Sequence, residues 1–315
     1  MRILANDGLD AAGRQLLEEA GFSVSTEKIP QENLSSRIQD FDILVVRSAT
    51  KVTAAILEAG NLKLVARAGV GTDNIEMKRA AELGIAVINT PDAASRSVAE
   101  LVVAHMFSIA RFLPLCNRDL PENGGAGFNQ LKKQASGGFE LRGKKLGIIG
   151  FGRIGRELAG MALGLGMEVL IFDHKGRSFD IVLDFYPSLG IPPVSLVLNS
   201  GSLESVLSNS DLVSVHTPGS AEFLGAKEIA LMKPGACLIN CSRGGVVNEK
   251  ALLEALNSGK IAFAGLDVFA EEPPLGNPLL VQPGVSLSPH IGASTREAQE
   301  RVGKELASRI IQFFG

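Results

Sequence analysis

Along the first ninety residues, apolar positions follow two alternating rhythms. Short runs rich in β-branched residues, RILAN at 2–6, ILVVR at 43–47, LVARAG at 64–69 and AVINT at 86–90, alternate with stretches such as LDAAGRQLLEEAG and IEMKRAAELG, whose apolar positions recur every three to four residues. The first rhythm marks buried strands and the second amphipathic helices, and their alternation predicts a parallel sheet covered by helices. Gly21, Gly60 and Gly84 each close a helical stretch, as left-handed caps would.

An apolar helix is predicted next, from Val98 to about Phe112, with Ser97 as its cap and Glu100 completing a capping box. The polar, glycine-rich segment 117–143, with ENGGAGFNQ and ASGG, is expected to wrap the surface. From Lys144 the alternation resumes: KLGIIG, EVLIFD, LVSVHT, CLINCS, FAGLDVF and VSLSPH read as strands with helices between, a second doubly wound sheet over about 144–290. Segment 174–203, with Pro192 next to Pro193, shows no clean period and carries no assigned element. A closing helix over 294–313 has an apolar stripe at Ala298, Val302, Leu306, Ile310 and Phe313. Its return to the first sheet would make that domain discontinuous, 1–97 plus 291–315, around an inserted domain, 98–290.

Composition narrows the partners. At 315 residues the chain exceeds what one core usually organises, so two α/β domains sharing a cleft are expected. With 45% hydrophobic and 21% charged residues it is an ordinary globular sequence. A net charge of −3 and no run of five like charges offer nothing to nucleic acid or an anionic membrane. Cys116, Cys237 and Cys241 cannot all pair, and four histidines supply no zinc spacing, so no metal and a reducing cytoplasm are expected. The apolar stretch 101–116 contains His105, Arg111 and Pro114 and reads as a buried helix, while MRILANDGLD reads as a first strand and not as a leader.

The densest chemical signal is KLGIIGFGRIG, a strand running into a glycine turn and then a helix. Gly150 makes the turn, Gly152 lets a pyrophosphate approach the backbone, and Gly155 permits close packing of a helix whose N-terminus attracts the phosphates. Asp173 ends the next strand, eighteen residues after Gly155, where a carboxylate takes ribose hydroxyls and repels a 2′-phosphate. NAD is therefore the expected cofactor, a preference that Lys175 and Arg177 weaken. Strand CLINCS delivers Arg243 to the carboxyl edge, where a guanidinium can clamp a carboxylate and the following glycines leave room for substrate. Strand VSLSPH delivers His290, suited to proton transfer near neutrality, with Glu272, or Glu271 beside it, able to pair with the imidazole and fix its tautomer. His216 is expected to line the cofactor cleft without exchanging protons, His105 to be structural and His174 to face solvent. Cys241 reads best as a packing residue.

GFGRIG, VHTP, INCSRGGVV, LDVFAEEP and SPHIGAST, in that order, resemble the D-isomer-specific 2-hydroxyacid dehydrogenase family over essentially the whole chain. The resemblance implies Arg243, Glu272 and His290 as the catalytic trio. It also places Arg153, Ile154, Asp173, His216, Thr217, Cys241, Ser242, Asp267 and Gly292 around NAD. A Rossmann coenzyme domain inserted in a flavodoxin-like substrate domain is implied, with assembly into a homodimer or homotetramer. VVRSATKVT at 45–53 and LVARAGVGTDNI at 64–75 resemble the members that oxidise 3-phosphoglycerate for serine biosynthesis. That likeness implies a phosphorylated anionic substrate met by Arg47, Arg67, Ala68 and Gly69, with Lys132 or Lys133, in a stretch resembling one that reaches a neighbouring subunit, adding to them. Because the chain stops just after the closing helix, a C-terminal regulatory domain is not expected. The alternatives are a glyoxylate/hydroxypyruvate or other D-2-hydroxyacid reductase, and, from another class, an NADH-sensing corepressor-like protein with little turnover.

Overall fold

The structure is a computed structural model that describes residues 1–184 and 187–315. It divides into two compact units, Met1–Ser97 with Ala293–Gly315, and Val98–Gly292.

The first unit is a five-stranded parallel sheet of β1 (Arg2–Ala5), β2 (Ser23–Ser25), β3 (Ile43–Val46), β4 (Leu64–Arg67) and β5 (Ala86–Asn89), in the order β2-β1-β3-β4-β5. This is the flavodoxin-like order, which reverses between β1 and β3, and ligands of such sheets sit at the carboxyl ends beside that reversal. β1, β3 and β4 are almost wholly buried, because helices cover both faces and leave no polar side. The short β2, with serine at both ends, carries too little apolar signal to be foreseen. Helices α1 (Ala11–Glu19), α2 (Gln31–Arg37), α3 (Ala54–Ala59) and α4 (Met77–Glu82) join the strands. Gly21 and Gly84 adopt the expected positive φ, +85° and +70°. Gly60 does not: it is extended, and its requirement is close approach, since a Cβ there would lie 3.1 Å from the Ile38 side chain.

The second unit begins within α5 (Ser95–Ala110), which starts earlier than foreseen. Ser95 N–H donates to Asp92 O at 3.2 Å, so the turn at Asp92 opens the helix and Ser97 and Glu100 fall inside it, not in a capping box. The segment read as a surface wrap is mostly helical, α6 (Leu113–Asn123) and α7 (Phe128–Gln134), divided at Gly124 and Gly125. Pro114 sits in the first turn of α6, where a missing N–H costs little.

A six-stranded parallel sheet follows, built from β6 (Lys145–Ile149), β7 (Glu168–Phe172), β10 (Leu212–Val215), β11 (Ala236–Asn240), β12 (Ile261–Leu266) and β13 (Val285–Leu287), in the order β13-β12-β11-β10-β6-β7. Its crossover helices are α8 (Arg153–Gly164), α9 (Leu203–Asn209), α10 (Ala226–Leu231) and α11 (Glu249–Asn257). Between β7 and α9 lies an antiparallel hairpin of β8 (Ser178–Leu183) and β9 (Val194–Asn199), in the segment left without an element. Phe185 and Tyr186 of that segment lie outside the described residues. Beside β7, a single parallel bridge from Ile171 to Ser200 takes the place of a further strand among the described residues.

The chain closes with α12 (Arg296–Phe314), capped by Thr295 Oγ1 accepting from Ala298 N–H at 3.1 Å. Ala298, Val302, Leu306 and Ile310 are buried, Leu306 and Ile310 in the core of the first sheet. Phe313 is not: it is 47% exposed, and the stripe ends on Phe314, which meets Phe22 at 6.1 Å. Ile291 and Gly292 group with the second unit and not with the first, because the Asp267 carboxylate takes both of their N–H groups.

Candidate active site

At the end of β6 the glycine turn is forced by its own backbone. Gly150 has φ +91°, and a Cβ there would come within 2.6 Å of His216 O. A Cβ on Gly155 would lie 2.6 Å from Gly150 O, so α8 packs directly on the turn. Gly152 faces open space and caps α8 without a side chain, leaving the first-turn N–H groups available to an anion. Arg153 and Ile154 open that helix, Arg153 exposed and Ile154 half-buried against the core. Asp173 braces the turn, with Oδ2 accepting from Phe151 N–H at 2.8 Å and Oδ1 from Lys175 N–H at 2.7 Å, and each oxygen keeps a further lone pair for a ribose hydroxyl.

Two buried polar atoms beside this turn have no partner among the described residues, His216 Nδ1 and Thr217 Oγ1. Buried polar groups are nearly always satisfied, so the unmet pair marks where a polar ligand belongs. Glycine turn, helix N-terminus, Asp173 and the two unmet atoms together fit a dinucleotide. Burial pushes His216 down to about 4, so its ring is neutral near pH 7, and Nε2 lies 2.9 Å from Ser214 Oγ. Cys241 is 5% exposed and burial drives its thiol far up, which suits packing and not nucleophilic attack.

The three groups proposed for chemistry follow three neighbouring strands. Asn240, Leu266 and Leu287 stand opposite one another across β11, β12 and β13, and all three strands point the same way, so Arg243, Glu272 and His290 emerge from one sheet edge. Asn240 shapes the first loop: its Oδ1 accepts from Ser242 N–H at 3.0 Å and Ser242 Oγ at 2.8 Å, and its Nδ2 donates to Arg243 O at 3.0 Å. Arg243 Nη1 donates to Ser242 O at 2.7 Å. The glycine that follows does not leave room for substrate as expected. A Cβ on Gly244 would sit 1.7 Å from Phe269 O, so this chain's own backbone fills that space.

The pairing partner of His290 is Glu272, not Glu271. Glu272 Oε2 lies 2.7 Å from His290 Nδ1, while Oε1 accepts from Phe269 N–H at 3.2 Å. A carboxylate on Nδ1 holds the proton there, which leaves Nε2 with the lone pair that a general base needs. His290 adopts a left-handed backbone, φ +57°, which costs a non-glycine residue roughly 1–2 kcal/mol. Asp267 overrides that cost: its carbonyl accepts from His290 N–H at 2.8 Å, and its carboxylate from Ile291 N–H at 2.8 Å and Gly292 N–H at 2.9 Å.

In the first unit Arg47 and Arg67 lie at the carboxyl ends of β3 and β4, which are neighbours. Asp7 holds the loop after β3, taking Arg47 N–H at 2.8 Å and Thr50 N–H at 3.0 Å on one oxygen, and Thr50 Oγ1 at 2.7 Å and Lys28 Nζ at 2.5 Å on the other. Burial works to raise the Asp7 carboxyl, but Lys28, Thr50 and the backbone donors outweigh it and hold it below the ordinary range. Asn74, which drew no attention in the sequence, links the two arginines: its Nδ2 donates to Arg47 O and Thr50 O, both at 2.7 Å, and its Oδ1 accepts from Arg67 Nε at 3.0 Å. Among the described residues the Arg47 guanidinium enters no ion pair, and it lines three cavities of about 280, 370 and 690 Å³, the first shared with Ala68. Gly69 gives Arg67 its place, since a Cβ there would fall 2.4 Å from Nη1. Lys133 is exposed on α7, in the second unit.

The chain is similar to known proteins along its whole length. Residues 103–292 match the family described as D-isomer specific 2-hydroxyacid dehydrogenase, NAD binding domain. The hydroxypyruvate reductase of Thermotoga maritima is 42% identical over 322 residues, covering 100% of this chain and 98% of that protein. The D-3-phosphoglycerate dehydrogenase of Methanocaldococcus jannaschii is 40% identical over 314 residues, and the match spans 98% of this chain but 57% of that longer protein. Among solved structures, the glyoxylate/hydroxypyruvate reductase of Sinorhizobium meliloti, in complex with NADP and malonate, superposes with a TM-score of 0.79 at 27% identity, covering 100% of this chain and 93% of that one. The NAD-bound 3-phosphoglycerate dehydrogenase of Entamoeba histolytica gives 0.77 at 25% identity, covering 100% and 95%.

Proposed function

This chain belongs to the D-isomer-specific 2-hydroxyacid dehydrogenase family, and we propose that it interconverts D-3-phosphoglycerate and 3-phosphohydroxypyruvate with NAD. The observation that carries the reaction is the 2.7 Å pair of His290 Nδ1 and Glu272 Oε2 at the edge of the NAD-binding sheet. Bound NAD supplies the acceptor for the hydrogen that leaves C2 with its electron pair. His290 Nε2 takes the proton of the C2 hydroxyl, and Glu272 steadies the imidazolium that results. Arg243 holds the C1 carboxylate and polarises the C2 oxygen as it becomes a carbonyl. In reduction the same imidazolium returns its proton to that oxygen.

The phosphorylated substrate is supported by Arg47 and Arg67. A protein of net charge −3 holds a multiply charged anion only through local cations, and the Arg47 charge is not neutralised by a carboxylate among the described residues. Hydroxypyruvate, the same carbon skeleton without the phosphate, is the second reading, favoured by the Thermotoga maritima match along nearly that protein's whole length. Entry of the product into serine formation, a cytoplasmic setting and a homodimer or homotetramer accompany the first reading. The test is kcat/KM with NADH for 3-phosphohydroxypyruvate, hydroxypyruvate, glyoxylate and pyruvate. A preference for the phosphorylated acid of at least about 10-fold is expected, since each charge-assisted phosphate contact contributes more than a neutral one. A preference for hydroxypyruvate moves the assignment to the second reading, and turnover of none of the four refutes both.

A further inference from the structure

The second unit buries a histidine for which the proposed chemistry has no task. His105, on α5, is 3% exposed; its Nδ1 lies 2.9 Å from Ser286 Oγ and its Nε2 3.0 Å from Ser288 Oγ. Gly265 in β12 admits it, since a Cβ there would come within 2.8 Å of the His105 Cβ. Ser288 Oγ in turn lies 2.6 Å from Asp267 Oδ1.

Counting protons sets the direction of this chain. Both Asp267 carboxylate oxygens already accept from backbone N–H groups, so the single hydroxyl proton of Ser288 points to Oδ1. Ser288 Oγ then offers His105 only lone pairs, and Nε2 must carry a proton. Burial lowers the His105 pKa against the pull of the Asp267 charge, so the ring is neutral, Nδ1 is bare, and Ser286 donates to it. The outcome is a one-way relay, His105 Nε2–H to Ser288 Oγ–H to Asp267 Oδ1. It ends on the residue that clamps the backbone of His290, Ile291 and Gly292.

We propose that His105 is a positioning residue for the reaction, acting through Ser288 to fix the Asp267 carboxylate and with it the left-handed loop that presents His290. Ser286 anchors the far edge of the ring and lies off the path. The proposal rests on the reading of His290 as the proton-transfer group.

The experiment uses the full chain and five single variants: Ser288→Ala, His105→Leu, His105→Gln, Ser286→Ala and His290→Ala. Amide hydrogen exchange at Ile291 and Gly292 is followed in the cofactor-free protein, and kcat, KM and NADH affinity are measured alongside. Ser288→Ala and His105→Leu are expected to speed exchange at both amides and to lower kcat about 10-fold, with KM and NADH affinity within about 3-fold, because small misplacements of a reacting group act on kcat. Ser286→Ala should leave all four readouts at wild-type values, and His105→Gln, which keeps an N–H donor, should recover most of the loss. The Ser288→Ala/His105→Leu double variant should be no worse than Ser288→Ala alone. Wild-type exchange and kcat in Ser288→Ala, or an equal loss in Ser286→Ala, overturns the relay; should His105→Leu fail to fold, that serine pair decides alone. Full turnover in His290→Ala instead refutes the underlying reading, and the exchange data still judge the relay separately.

Discussion

Each unit sets a buried aspartate just beyond a strand end and uses it to hold the loop after a neighbouring strand. Asp7 takes the backbone of Arg47 and Thr50 together with the Thr50 hydroxyl; Asp267 takes the backbone of Ile291 and Gly292 together with the Ser288 hydroxyl. The two differ in what stands behind the carboxylate. Lys28, 57% exposed, neutralises Asp7, whereas the relay behind Asp267 is neutral and runs through half-buried Ser288 to buried His105. The first arrangement cancels the aspartate charge and leaves that of Arg47 for an anion; the second contributes no mobile cation and leaves little slack. Under the proposed function, recognition of a charged acid depends on charge left over, and proton transfer depends on a loop that cannot drift.

Matched substitutions break or sharpen that contrast. Asp267→Asn turns an amide N–H toward backbone N–H groups, and kcat should fall about 100-fold with KM little changed. Asp7→Asn should instead raise KM about 10-fold with kcat within a few fold, since it loosens the Arg47 loop and not the chemistry. Steady-state kinetics on both variants check this, and the same kcat and KM pattern in the two would erase the distinction. Arg47→Gln should raise KM for 3-phosphohydroxypyruvate by about 10-fold or more, and for hydroxypyruvate by less than about 3-fold. Equal changes for the two acids count against a phosphate at Arg47.

The smallest effect is on stability in mild acid, and it too separates the units. His216, at about 4 folded against 6.5 unfolded, binds its proton later in the folded state than in the unfolded chain. Its contribution is therefore whole above pH 6.5 and drains away as pH falls toward 4. The loss is at most about 3–4 kcal/mol. Asp7 has a folded pKa below its unfolded 3.8, so its contribution is whole above that value and is lost only as pH falls below it. Urea midpoints of the cofactor-free protein at pH 7, 5.5 and 4.5 should fall steadily, and His216→Gln should flatten the decline. An unchanged slope in that variant would assign the decline to other groups.

Much of this was legible in the residues, and the limits have physical causes. The strands of the two parallel sheets other than β2 stand out as short apolar runs, and Arg243 and His290 stand out because they lie three residues beyond the ends of two of those runs. Strand β2 is too short to show a rhythm, the prolines and glycines of 113–137 and 174–203 hid two helices and a hairpin, and the turn at Asp92 began α5 ahead of Ser97. The clamps were invisible for another reason. Asp7 reaches partners 40 and 43 residues away and Ser288 reaches His105 across 183, separations that no local pattern records. Gly244 was noticed for the wrong purpose, since only coordinates reveal that its missing side chain makes way for Phe269.

The most direct test of the account is turnover of His290→Ala on the best wild-type substrate, measured together with NADH affinity. A loss in kcat of about 10³-fold, with the NADH dissociation constant within about 2-fold of wild type, is the predicted result. Turnover within about 10-fold of wild type would show that the proton of the C2 hydroxyl leaves by another route.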